Sequence, residues 1–169
     1  MDREEKSLKD VLESYPFVTI FFNNFILLLQ ILLGILACNF FSSIAAVFYG
    51  IFFLLGFFLL KKLVCSHCYY YDRWCSFGWG KLSALLSKKD MEKSSKYLWG
   101  IKIAPFFYGI LEPLPILLII ILLIKKFEID KIILLIAFLS ISFYSGSIRR
   151  KRNCSLCKMK NICPGSTVK

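Results

Sequence analysis

The stretch CSHCYYYDRWC, from Cys65 to Cys75, sets three cysteines beside His67, the chain's one histidine. A second set follows at Cys154, Cys157 and Cys163. The spacings are C-x2-C-x6-C in the first and C-x2-C-x5-C in the second. C-x2-C turns two sulfurs toward one centre, and a third cysteine six or seven positions on can fold back to it. Three thiolates are one short of a tetrahedral site, so a fourth ligand must come from His67 or from the other cluster. Three arrangements are open. One four-cysteine centre can be shared by both motifs. Two thiolates can bridge a pair of zinc ions held by all six cysteines. Each cluster can close separately, the first with His67, which leaves the second without a histidine.

Thiolate-rich sites suit zinc, Cu(I) or iron–sulfur clusters. Cys163-Pro164 favours iron–sulfur, since Cys-Pro is frequent in cluster-binding loops. Basic neighbours favour thiolate formation. Against these stand structural disulfides, which cytoplasmic thiols rarely form, and cysteines that bind nothing.

Four local resemblances accompany the spacing. Cys65, Cys68 and Cys75 resemble the half-motif of the fungal binuclear zinc-cluster family. Cys154, Cys157 and Cys163 resemble the C-x2-C-x5-C core of SPASM-type iron–sulfur domains, with Thr167 where a fourth cysteine is expected. The stretch RWCSFGWGKLSALL is similar to cytoplasmic cysteine loops of membrane-bound ferredoxin-like proteins of the nitrate-reductase type, without their C-x3-C-P runs. The broadest resemblance is to small prokaryotic multi-pass membrane proteins with C-x2-C-x-Y-Y followed by C-x2-G-W-G-K. Here those residues are Cys65, Cys68, Tyr70, Tyr71, Cys75, Gly78, Trp79, Gly80 and Lys81. It implies a shared site design and no known activity.

The elements that must position these ligands are apolar. Of 169 residues, 57% are hydrophobic, above the share of an ordinary soluble domain, while the net charge is +11. Four nearly uncharged runs stand out: Phe17 to Ala37, Ile44 to Leu60, Ala104 to Ile124 and Ile132 to Ile148. Each reaches the length needed to span a bilayer, and lipid forces such segments to be helical. The expected fold is an all-α membrane protein, a bundle of four transmembrane helices built as two helical hairpins, each followed by a cysteine cluster. The organisation is an N-terminal segment 1–16, a first hairpin 17–60, a Cys-rich loop 61–103, a second hairpin 104–148 and a Cys-rich tail 149–169.

Lysine and arginine set the direction. Nineteen of the 22 fall in the N-terminal segment, the middle loop and the tail, and three in the other two connections. The positive-inside rule then puts both termini and both cysteine clusters in the cytoplasm, in a cell membrane. A secretory signal peptide is not expected, because the first 16 residues carry five acidic side chains. The basic face suits an acidic protein partner or anionic lipid headgroups, and nucleic acid is not expected. Cys38, the seventh cysteine, reads as a small apolar residue at a helix end, although ILAC before Asn39 faintly resembles a lipoprotein processing box.

The surroundings add expectations. Tyr69, Tyr70, Tyr71, Trp74 and Trp79 mark the membrane–water boundary or shield a centre from water. Trp79, Leu82, Leu85 and Leu86 recur at helical spacing, as in a short interfacial helix, and Gly78 and Gly80 permit close backbone approach. SKKDMEKSSK reads as a solvated turn. Glu112, about 12 Å along its span at 1.5 Å per residue, is followed by Pro113 and Pro115, which should break or kink the helix. An intramembrane carboxylate suggests proton or cation handling. Otherwise it is a protonated side chain bonded to Asn23, Asn24 or Gln30.

The leading expectation is a small membrane metalloprotein with a cysteine-ligated zinc or iron–sulfur site, serving electron transfer or redox sensing for a partner. One alternative is a transporter or ion-handling protein using Glu112, the cysteines being a staple. Another is a membrane thiol oxidoreductase cycling C-x2-C pairs.

Overall fold

The computed structural model describes residues 12–89, 95–161, 163 and 166–168. Residues 1–11, Asp90 to Ser94 within the expected solvated turn, and Pro164 lie outside the described residues.

Most of the described residues are helical. Helix α1 is Phe17–Phe41, α2 Ser43–Leu63, α3 Trp79–Leu86, α4 Ser95–Leu111, α5 Pro113–Lys125, α6 Ile129–Phe143 and α7 Arg150–Ser155. A 3-10 turn, Cys65–His67, extends α2, and a π-helical turn, Tyr144–Arg149, joins α6 to α7. Four stretches are long and apolar enough to cross a membrane: Phe17–Phe41, Ser43–His67, Lys102–Lys125 and Ile129–Ser155.

Local chemistry sets the boundaries. Pro16, at φ −65° and ψ 147°, precedes α1 in an extended conformation. Ser42 alone separates α1 from α2. Its own N–H closes α1 on the Cys38 carbonyl, and its Oγ accepts from the Ile44 N–H to open α2. The α4–α5 junction falls at Glu112, as the prolines require. Pro113 and Pro115 have no N–H to return to the carbonyls four residues back, so the helix restarts with Pro113 in its first turn. Before α6, Glu128 pairs with Lys126 at 2.6 Å and with Lys131 at 3.0 Å, so the buried Lys131 is neutralised.

Small residues let the helices approach, as membrane-type packing requires. A Cβ at Gly34 would meet the Tyr49 ring, and one at Gly56 would meet the Phe107 ring. Cys38, Ala46, Tyr49, Phe107 and Leu111 form one buried cluster, with Phe52 and Phe107 stacked at 4.3 Å. Cys38 thus serves as a small core residue. Ala37, Ile119 and Leu134 form a second cluster that joins α1, α5 and α6. Most other apolar side chains along these helices face outward, where lipid would cover them.

Several helix ends differ from the sequence expectation: α1 runs past Ala37 to Phe41, α4 begins at Ser95 inside the expected loop 61–103, and the ends nearest the cysteines move as well. The fourth helical stretch runs past Ile148 to Ser155, and α2 runs past Leu60 to Leu63. Backbone hydrogen bonding continues through the basic residues because charge alone does not end a helix. Cys154 therefore lies on α7, and Cys65 opens the turn that continues α2, rather than either lying in a free loop.

Candidate functional site

The two cysteine motifs fold alike, although 89 residues separate Cys65 from Cys154. The carbonyl of each of the six cysteines accepts a hydrogen bond from the N–H three residues on. The pairs are Cys65 with Cys68, Cys68 with Tyr71, Cys75 with Gly78, Cys154 with Cys157, Cys157 with Lys160 and Cys163 with Ser166, all between 2.8 and 3.2 Å. Each cysteine therefore opens a tight turn. The second cysteine of each C-x2-C receives an amide N–H. The Tyr70 N–H bonds the Cys68 sulfur, and the Met159 N–H bonds the Cys157 sulfur.

Three chain segments meet around these turns. The N-terminal residues Leu12 to Tyr15 run between the loop and the tail. Leu12 donates its N–H to the Leu156 carbonyl at 3.1 Å, and Tyr15 donates its N–H to the Trp74 carbonyl at 2.9 Å. The Tyr15 hydroxyl donates to the Asn153 carbonyl at 2.8 Å. Tyr70 completes the join. Its hydroxyl donates to the Leu12 carbonyl at 2.6 Å and accepts from the Lys158 N–H at 3.2 Å. Tyr15, Ile20 and Tyr70 form a buried cluster, and Cys68, Cys75, Leu156 and Cys157 pack against it.

The loop is also tied to α1. Asn23 donates to the Ser76 carbonyl at 2.6 Å, and Asn24 to the Phe77 carbonyl at 2.9 Å. The π turn directs Arg149 inward, where it donates to the Asn23 carbonyl at 2.9 Å and to Ser145 Oγ at 2.6 Å. A short helix, α3, forms where one was expected in GWGKLSALLSKK. Gly78 precedes it at φ 71°, a left-handed conformation that glycine adopts without strain.

The aromatic residues divide by burial. Tyr70 is 2% exposed, Trp79 packs on Phe57 and Phe77, and Tyr69 and Trp74 stay at the surface. His67 lies in the 3-10 turn with Nδ1 2.9 Å from Ser66 Oγ. Burial pushes the Cys68 thiol up to about 11, although the Tyr70 N–H stabilises its thiolate. Cys157 is raised for the same reason, against the opposing Met159 N–H and Tyr70 hydroxyl. The neighbouring sulfurs of Cys75, Cys157 and Cys163 add to the shift of Cys68. A cation would therefore displace protons on binding here.

All seven cysteines are free thiols. The donor set matches a soft metal, and Cys68, Cys75 and Cys157 border one buried cluster. Among the described residues, however, no three His, Cys, Asp or Glu side chains converge closely enough to hold a metal ion as they stand.

Glu112 is exposed on the helical surface, and its Oε1 accepts from Gln30 Nε2 at 3.4 Å. The same Gln30 amide lies 3.2 Å from Ser142 Oγ. Of the three expected partners only Gln30 reaches it, because Asn23 and Asn24 are committed to loop carbonyls. An amide oxygen accepts as a carboxylate does, so Glu112→Gln should leave the melting temperature in detergent unchanged. Glu112→Leu should cost about 0.6 kcal/mol, the average for a hydrogen bond between membrane helices. Loss of a transport signal in a stably folded Glu112→Gln protein would instead mark the carboxylate as functional.

The fold is that of an all-helical protein with four helical stretches long and apolar enough to cross a membrane. Comparison with family models, curated proteins and solved structures finds no match for this chain.

Proposed function

We propose that this chain is a small multi-pass membrane metalloprotein whose six cysteines hold zinc or an iron–sulfur cluster on the cytoplasmic face. In this reading, two helical hairpins are clamped together by the site, and an electron-transfer or redox-sensing role for a partner follows from thiolate ligation. The observation that carries it is the repeated turn. All six clustered cysteines open i to i+3 turns, and the second cysteine of each C-x2-C takes an amide N–H from two residues on. Amide donors aimed at sulfur stabilise the thiolates of Cys68 and Cys157. Metal binding would draw the two motifs the remaining distance and would contribute to the folding free energy of the loops.

Orientation rests on the basic residues, which are concentrated in the loops beside the cysteines. That face would sit against anionic headgroups or an acidic partner.

The test is elemental analysis with a visible spectrum, on protein purified without oxygen. About one or two zinc per chain without colour would make the centre structural. Iron with sulfide and a broad visible absorbance that bleaches on reduction would make it a redox centre. Protein with no metal, and with every thiol alkylatable after zinc or iron is supplied, would overturn the reading.

A further inference from the structure

Between Phe52 and Lys62, one face of α2 carries a groove that no described residue fills. Gly56 creates it. A Cβ there would meet the Phe107 ring, so its absence lets that ring of α4 lie against α2 and stack on Phe52 at 4.3 Å. The buried Phe107 becomes the floor. Phe52, Leu55, Phe58 and Leu59 form the walls, and Lys62 stands at one end. The volume is about 450 Å³, within the range of roughly 300–1,000 Å³ for small-molecule sites.

Length, lining and charge narrow the occupant. Ten positions separate Phe52 from Lys62, about 15 Å at 1.5 Å per residue. That is half of a hydrocarbon core of about 30 Å, the depth of one leaflet. The apolar part lies inside the membrane-crossing stretch Ser43–His67, and the cation stands where α2 turns basic. The two adjacent lysines differ. Lys61 is turned inward, 1% exposed, with Nζ 3.3 Å from the Phe57 ring centre and 4.9 Å from that of Trp79. Lys62 is exposed, and among the described residues its ammonium has no hydrogen bond or ion pair. A second helix does not suit the groove. Membrane helices approach through small residues, and this lining is entirely of large ones. An acyl chain needs no such approach.

We propose that this groove holds one acyl chain of an anionic phospholipid, with the lipid phosphate on Lys62. The apolar walls set the position of the chain. They do not select among lipids, because lipid tails are alike to them. Selection comes from the headgroup, since a lysine near the membrane surface favours anionic lipid by roughly fivefold. The cysteines take no part, so the site stands or falls apart from any metal centre.

The test uses the full chain in detergent micelles, with dioleoyl phosphatidylglycerol or dioleoyl phosphatidylcholine added in equal amounts. Native mass spectrometry counts the lipids that each protein ion keeps. Wild type should keep one phosphatidylglycerol and hold it roughly fivefold more tightly than phosphatidylcholine. Lys62→Gln should remove that preference. Lys88→Gln, at an exposed lysine of the same loop, should keep it. Leu55→Trp should reduce retention of both lipids, because Leu55 is 63% exposed on the groove wall and a larger ring fills the space without entering the core. Equal binding of the two lipids by wild type overturns the inference. So does a loss of preference in Lys88→Gln as large as in Lys62→Gln, which would reduce the effect to general surface charge. Wild-type retention in Leu55→Trp overturns it as well. A two-chain species that keeps no lipid would overturn it by making the groove an interface between copies.

Discussion

Gly80→Ala should detach the loop that carries Cys65, Cys68 and Cys75. Gly80 is buried in the first turn of α3, and a Cβ there would run into the backbone carbonyls of Tyr70 and Arg73. Those carbonyls cannot step aside cheaply. The Tyr70 carbonyl accepts from the Arg73 N–H at 3.0 Å, and the Gly80 carbonyl itself accepts from the Asp72 N–H at 3.1 Å. Asp72 sits at φ 57°, a left-handed conformation that an aspartate tolerates only where its surroundings hold it. The methyl group therefore works against the tightest part of the loop. The expected cost is about 3 kcal/mol, the upper end for overpacking. Gly109→Ala is the control. Nothing lies within 4 Å of its Cβ position, so helix propensity alone should act, with a neutral or slightly stabilising effect. Limited proteolysis in detergent reads the difference. The Gly80 variant should be cut between residues 65 and 89 while the long helices stay protected, and the Gly109 variant should match wild type. A Gly80 variant with wild-type protection would mean that the α3 contact is not tight in solution.

Much of this architecture is written in the sequence, because the membrane leaves few choices. Uncharged runs of sufficient length must be helices, and the four helical stretches fall where those runs are. Proline placed the α4–α5 junction at Glu112. The short amphipathic helix α3 was legible from Trp79, Leu82, Leu85 and Leu86. Hydropathy misplaced the helix ends near the cysteines. It stops at the first basic residue, whereas Lys61 and Arg149 fold inward under the loop aromatics and the helices continue. The sequence left three residues of α1 open as partners of Glu112, and the fold selects one of them. Asn23 and Asn24 hold loop carbonyls, and only Gln30 reaches Glu112. An asparagine side chain is short, so its partner is whatever the tertiary fold brings within 3 Å, and composition does not encode that. The N-terminal segment was the largest omission. Leu12 and Tyr15 join the loop to the tail through partners as distant in the sequence as Asn153 and Leu156. The one local signal was Tyr15 before Pro16, an extended dipeptide beside the first helix with an aromatic free to be buried.

Tyr70 is where those distant segments are held together, so the second large effect is expected there. Its hydroxyl serves two backbone groups at once, one from the N-terminal segment and one from the residue after Cys157. Its ring lies 5.8 Å from that of Tyr15 and 5.3 Å from that of Tyr69. Tyr70→Phe keeps the ring and strands both the Leu12 carbonyl and the Lys158 N–H, at a cost of about 1–3 kcal/mol. Tyr70→Ala also empties a buried aromatic site, for about 3–5 kcal/mol. Thermal unfolding in detergent, with the two variants side by side, separates hydroxyl from ring. The same pair discriminates between the arrangements of the proposed centre. If the six cysteines share one centre, Tyr70→Ala should lose metal from both motifs together, since the Tyr70 hydroxyl ties the segment after Cys68 to the Lys158 N–H after Cys157. If each cluster closes separately, the variant should keep part of its metal, and the tail cysteines should stay as protected from alkylation as in the wild type. Metal content that falls in step with stability across Phe and Ala would identify the clamp and the fold as one cooperative unit. Metal content that holds while stability falls would show that the tyrosine, and not the metal, joins the two halves.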